Sequence, residues 1–213
     1  ISKFRPRKGD FLVYGIAGQI NLTVTFAEFV TQEQVNVTQS VVGVGVWYLV
    51  DLNSRLIIES PQDTRAVGTT GFFWVPSNIK VGSPIPLGEF DLNVLGEEQL
   101  NFKGRRLGVW RIGGDVSLRL PNEVVNSTIN AFYDKGTGIL LRLQESSMRD
   151  GVVGDQDGEQ QALLELVETS VNFDPSSFPI TDTRGFIFPE KSLSARYRHQ
   201  NYEWKIEVSE IIG

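Results

Sequence analysis

Cysteine is absent from this chain of 213 residues, and histidine and methionine occur once each. Without cysteine there is no disulfide, no thiol nucleophile and no thiolate ligand for zinc or an iron–sulfur cluster. A single histidine leaves at most one imidazole base and excludes a metal site of several histidines. Gly-x-Ser-x-Gly and phosphate-loop motifs are also missing. Most common enzyme chemistries therefore lack their usual side chains.

Long apolar runs are missing too. The longest, residues 41–50, is interrupted by Gly43 and Gly45, and it has about half the length that a bilayer span requires. We therefore predict no transmembrane segment. The N-terminal sequence contains no signal-peptide apolar region, but a mature chain would have lost one, so targeting stays open.

The charge is negative, with a formal net charge of −6 and a pI near 4.9. A chain of this sign repels a phosphate backbone, so we expect no nucleic-acid partner. The hydrophobic fraction of 40% at this length is enough for a substantial core without disulfides or metals. The composition indicates an ordinary folded protein.

Apolar and polar residues alternate along much of the chain, as in half-buried strands. The clearest case is residues 20–26, and residues 35–49 are predicted to form one long strand bent at Gly43 and Gly45. Further short strands are predicted at 11–16, 55–59, 89–94, 99–103, 106–112 and 116–120.

Turn signals place hairpins in the second half. Two β-rich runs in 128–146 flank the sequence from Asp134 to Gly138, whose glycines permit positive φ angles. Residues 193–208 form a second predicted hairpin whose turn is His199-Gln200-Asn201, and 162–171 fits a strand better than a helical turn. Residues 71–88, rich in proline and aromatics, are predicted to form a structured crossing loop.

Together these elements predict an all-β protein whose antiparallel meander curves into a half-barrel or barrel-like sheet. No fixed-period repeat and no low-complexity linker divides the sequence, so one domain over 1–213 is expected. Closed barrel, half-barrel and sandwich remain alternatives.

Three segments resemble exported all-β surface proteins of archaea and bacteria, which are similar to lipoprotein-carrier half-barrels. They are 9–14, 94–110 with Gly96 and Trp110, and the Tyr-Asp-Lys-x-Thr-Gly hairpin that begins at Tyr133. The resemblance covers roughly the first 170 residues. It implies a curved sheet outside the cytoplasm with a concave apolar face for a lipid, a peptide or a partner. It carries over no catalytic residue and no cofactor.

Three Asn-x-Ser/Thr sequons begin at Asn21, Asn36 and Asn126. In a strand, residues two apart share a face, so the first two sequons should project away from the apolar side. This placement suits glycosylation, and it suits a plain solvent-exposed face equally well.

Acidic residues form two weaker candidate functional sites. The sequence from Asp155 to Glu159 is similar to the start of a calcium loop but lacks the later ligands, so an acidic hairpin tip is favoured. Glu97 and Glu98 are adjacent, and adjacent strand residues point to opposite faces. They are therefore not expected to act as an acid/base pair.

Aromatic residues form two further candidate binding sites. His199, with Tyr197 and Trp204 nearby, is either one side of an ordinary hairpin or a surface for an anion, a sugar or a polar partner. Phe72, Phe73 and Trp74 cannot all face one side of an extended segment. They are either a core plug or the rim of an apolar ligand pocket.

Three functions follow as hypotheses. The first is a non-enzymatic extracellular or cell-surface domain that acts by binding or by assembly with itself or another protein. The second is a carrier of a lipid or another hydrophobic ligand, bound near Phe72, Phe73 and Trp74. The third is a carbohydrate-active enzyme with two carboxylates, for which no pair can be placed. No cofactor and no metal are expected.

Overall fold

The structure is a computed structural model that describes residues 4–16, 20–76, 78–88, 90–120, 123–150, 160–171, 173, 194–199 and 202–207. These residues contain thirteen β-strands and one 3-10 turn at Thr64–Ala66. The strands are β1 (Phe11–Ile16), β2 (Ile20–Phe29), β3 (Gln34–Val41), β4 (Val44–Asp51), β5 (Ile57–Glu59), β6 (Pro84–Leu87), β7 (Phe90–Phe102), β8 (Arg105–Leu120), β9 (Glu123–Asp134), β10 (Leu140–Asp150), β11 (Gln160–Thr169), β12 (Ser194–His199) and β13 (Tyr202–Glu207).

Eleven strands form one antiparallel sheet in the order β5-β4-β3-β2-β1-β11-β10-β9-β8-β7-β6. Neighbours in the sheet are neighbours in the chain, except where β1 pairs with β11. The sheet is curved and not closed, which confirms the predicted all-β meander. Strands β12 and β13 pair with each other, as predicted for the C-terminal hairpin. One domain over 1–213 stays a prediction.

Thr70 lies between the two edges of the sheet. It forms an antiparallel bridge with Leu56, beside β5, and a parallel bridge with Leu87 of β6. Its backbone N–H and its Oγ1 both donate to the carbonyl of Pro86, at 2.7 and 3.0 Å. A single buried residue therefore occupies the gap that the sheet leaves between its edges.

The chain then crosses the concave side of the sheet at 71–75. The N–H of Val75 donates to the carbonyl of Gly138, and the N–H of Leu140 donates to the carbonyl of Phe73, both at 2.9 Å. Phe73, Trp74 and Val75 are at most 1% exposed. The predicted crossing loop is confirmed here, but its far end is strand β6 and not loop, because 84–87 pairs with β7.

Other strand predictions need correction. Residues 35–49 are not one bent strand but β3 and β4, joined by a turn at Val42 and Gly43 with φ values of 49° and 80°. Two left-handed residues in a row give the tight turn that suits a two-residue hairpin. Conversely, β7 runs through two predicted strands and β8 through two others, because their ladder hydrogen bonds continue past Gly96 and Gly113.

The Asp134 turn has the predicted chemistry. Asp134 Oδ2 accepts hydrogen bonds from the N–H of Thr137 at 2.7 Å and from its Oγ1 at 2.8 Å. Gly138 has φ +76°, and the carbonyl of Thr137 accepts from Trp74 Nε1 at 2.9 Å. The turn therefore both joins β9 to β10 and holds the crossing segment.

Gly138→Ala should destabilise the fold far more than Gly104→Ala. Both glycines have similar φ angles, +76° and +78°, but a Cβ at 138 would lie 2.0 Å from the Val75 carbonyl oxygen, whereas a Cβ at 104 meets nothing within 4 Å. We expect a loss of about 1 kcal/mol at 104 from the left-handed backbone alone and roughly 3 kcal/mol or more at 138. Urea unfolding measures both, and equal losses would contradict the packing of the crossing segment on this turn.

Candidate functional site

One end of the concave interior is filled around Trp74. Its ring makes edge-to-face contacts with Phe26 and Phe4, at centroid distances of 5.2 and 6.0 Å. The guanidinium of Arg55 lies 3.5 Å from the same ring. These contacts are core packing and not a ligand site, because aromatic pairs and cation–π pairs stabilise a folded interior without a ligand.

Arg55 is a buried cation that the sequence did not reveal. It is 5% exposed and its Nη2 donates to the carbonyl of Phe4 at 2.8 Å. Nε and Nη1 find no hydrogen-bond partner among the described residues. Burial lowers the pKa of Arg55 to about 9, although the charge of Asp51 opposes this shift. It appears in the sequence only as the first residue of a predicted strand.

The other end of the interior is open and contains a cavity of about 400 Å³. Its apolar wall is contributed by β5, β6, β7, β9, β10 and the crossing segment. The apolar residues of this wall include Ile57, Phe72, Leu87, Phe90, Ile129 and Leu143. A cavity of this size accommodates a small organic molecule.

Phe72 forms the boundary between the filled end and the open end. Its ring lies 5.7 Å from that of Phe73 and 6.0 Å from that of Tyr14, and its carbonyl accepts a 2.6 Å hydrogen bond from the Tyr133 hydroxyl. Phe72 lines the cavity, whereas Phe73 and Trp74 belong to the core. Phe73 and Trp74 therefore form the predicted core plug, and Phe72 lines a pocket. Ligand binding by any of the three stays a prediction.

Polar groups occupy separate parts of the cavity wall. The side chains of Asp63 and Arg65 are 40% and 54% exposed and form an ion pair with a 3.4 Å distance between Oδ1 and Nε, so they mark the rim. Tyr48 is deeper, at 8% exposed. Burial, with a smaller contribution from the negative charge of Asp63, raises the pKa of Tyr48 to about 12. At neutral pH its hydroxyl is protonated, as in any tyrosine with an ordinary or raised pKa, and it can donate a hydrogen bond.

The three sequons lie on strands β2, β3 and β9. Asn21 and Asn126 are exposed and Asn36 is half-buried. Leu22 follows Asn21 and Val37 follows Asn36, and both of these apolar residues are buried on the inner face of the sheet. The asparagines therefore lie on the outer face, as predicted. The side chain of Asn126 also accepts a 2.6 Å hydrogen bond from Ser117 Oγ. Glycosylation itself stays a prediction.

The adjacent glutamates Glu97 and Glu98 form separate ion pairs. Glu97 pairs with Lys135 and Glu98 with Arg111 at 2.9 Å, so each carboxylate has its own cation. Residues 155–159 and the side chain of His199 lie outside what the structure describes.

The described ranges contain no cluster of three or more acidic or histidine side chains placed to hold a metal ion. None of their helical segments has the length and apolar character of a membrane-spanning helix.

Comparison with family models and with curated proteins finds no match to this chain. The resemblance to exported half-barrel proteins therefore depends on the three motifs alone. The cavity has to be interpreted from its own geometry.

Alkaline pH should destabilise the protein through Tyr48. Its pKa is about 12 in the folded state and 10.0 when unperturbed. Because the folded value is the higher, the contribution is intact below pH 10 and is lost towards pH 12, by roughly 3 kcal/mol. Burial also raises the pKa values of Tyr14 and Tyr133, whereas the lowered pKa of Arg55 acts in the opposite direction.

Comparison with Tyr48→Phe isolates this residue, because the variant keeps the ring and all other titrating groups. Urea unfolding across this pH range should show a smaller loss of stability for Tyr48→Phe than for the wild type. Identical pH profiles would show that Tyr48 is not buried in the folded state.

Proposed function

We propose that this chain is a non-enzymatic binding domain, extracellular or at the cell surface, whose concave face binds a lipid or another hydrophobic small molecule. The observation that carries the proposal is the cavity of about 400 Å³ beside Phe72. Ligand sites in proteins are concave, mostly apolar and supplied with a few polar groups that orient the ligand. The wall of this cavity has that composition.

The support around the cavity also favours binding. Ile129 and Leu143 belong to β9 and β10, which pair along most of their length. Phe72 is held by Tyr133 and by the packing of its ring on Tyr14. Side chains on paired strands lose little freedom when a ligand arrives, so less of the binding free energy is lost to ordering.

Assembly through the edges of the large sheet is the less favoured alternative. Its edge strands β5 and β6 are three and four residues long. Ile57 on β5 exchanges hydrogen bonds with Gly68 and Thr69, and Pro86 on β6 accepts from Thr70. Short edges already bonded to the chain's own segment are poor templates for a partner strand.

An extracellular or cell-surface location is part of the proposal. The outward placement of Asn21 and Asn36 leaves both sequons compatible with glycans. The resemblance to exported proteins points to the same location. Mass spectrometry of protein purified from its source would detect sugar additions, and a source sample without them would remove this support.

The cavity is tested with an uncharged fluorescent probe, N-phenylnaphthylamine, titrated into the purified full chain. Leu143→Trp places an indole into the cavity, and Val44→Trp adds the same ring at a position that is 66% exposed. We expect Leu143→Trp to weaken probe binding at least about tenfold because the ring occupies ligand space. Val44→Trp should bind as the wild type does.

Thermal unfolding of both variants checks that the fold survives the added ring. Native mass spectrometry, followed by denaturation, should release a small molecule from protein purified from its source. A wild-type chain that neither binds the probe nor carries such a molecule would overturn the proposed function. Equal weakening by both tryptophans would show that the probe binds elsewhere.

A further inference from the structure

Glu145 places a carboxylate on the apolar concave face. In the β9–β10 ladder it pairs with Ile129, two residues along from the pair of Leu143 with Ala131. Paired residues of antiparallel strands point to the same face with Cβ atoms about 5 Å apart. Glu145, Ile129 and Leu143 all line the cavity, so the acidic side chain lies inside the curve of the sheet and not on its outer surface.

Among the described residues, the charged side chains that line the cavity are Asp63, Arg65 and Glu145. Asp63 is paired with Arg65 at the rim. Glu145 is half-buried, and it has neither an ion-pair partner nor a side-chain hydrogen bond in the described part of the chain. A neighbouring glutamate on the next strand, Glu165, does have a cation, with 2.7 Å between its Oε1 and Arg142 Nη2. Of Asp63, Glu145 and Glu165, only Glu145 has no cation among the described residues, and it lines the cavity.

The rest of the wall suits a cation with an apolar body. Tyr48, Phe72 and Phe90 contribute aromatic rings to the cavity, and aromatic faces attract ammonium groups. A half-buried carboxylate among apolar neighbours loses part of its hydration, and a cationic ligand would restore charge pairing. A ligand with an anionic end would meet repulsion from Glu145, and Arg65 at the rim of the cavity is already paired with Asp63.

We propose that the ligand is an amphipathic amine whose apolar part lies against Phe72, Ile129 and Leu143 and whose ammonium group pairs with Glu145. This inference rests on the proposed function and adds the chemical class of the ligand. It explains why an acidic residue occupies an inward position of β10 where the pattern of the strand calls for an apolar one.

The test uses three compounds with one alkyl chain: decylamine, decanol and decanoate. Each competes with N-phenylnaphthylamine for the full chain at neutral pH and below its micelle concentration. Aliphatic amines are protonated under these conditions. We expect decylamine to displace the probe at roughly tenfold lower concentration than decanol, and decanoate to need more than decanol.

Glu145→Gln keeps the size of the side chain and removes its charge. In this variant decylamine should lose its advantage, while decanol should compete as before. Glu33→Gln is the matched control, because it changes the net charge equally at an exposed position. Glu33 lies six residues from the cavity residue Gln39, about 20 Å along the strand. This variant should keep the preference for the amine.

The outcomes separate the two proposals. If the probe and all three compounds fail to bind, the proposed function falls, and this inference falls with it. If decanol or decanoate competes as well as decylamine, or if Glu145→Gln keeps the preference for the amine, only the ligand class is overturned. A loss of preference in Glu33→Gln as large as in Glu145→Gln would assign the effect to net charge and would also overturn the inference.

Discussion

The backbone pairing between the crossing segment and the Asp134 turn is the constraint on which the interior depends. Phe73 and Val75 exchange hydrogen bonds with Leu140 and Gly138, and the indole of Trp74 donates to the same turn. A curved sheet of eleven strands has a concave face that must be covered. Here the chain covers part of that face with its own segment, and buried backbone groups of the segment form hydrogen bonds with the turn.

This pairing also determines where the cavity can form. Phe73 and Trp74 are buried in the core, whereas Phe72 packs against that core only in part and is also part of the cavity wall. Thr70 occupies the gap between the sheet edges just before this point, so one short stretch of chain both spans the opening and divides the interior. The proposed ligand site is thus a consequence of how the fold fills its own concavity.

Local patterns were sufficient for most of the strands and for the hairpin turn at Asp134, because alternation, aspartate and glycine act through near neighbours. Local patterns did not predict whether a glycine within a β-rich run ends the strand or lies inside it. Gly43 ends β3 in a tight turn, whereas Gly113 lies inside the long strand β8. The difference comes from the neighbouring strand. Strand β9 pairs with β8 on both sides of Gly113, and the sequence around Gly113 does not predict that pairing.

The sequence by itself determined the all-β class, the meander of successive strands apart from the β1–β11 pair, and the absence of cysteine chemistry, since these follow from composition and from contacts between chain neighbours. Only the tertiary structure decided which of three consecutive aromatics faces a cavity, that Arg55 is buried on Trp74, and that Glu145 lies on the inner face. Each of these depends on pairing between residues far apart in the chain. The curvature of the sheet, and not the local pattern, brings those residues together.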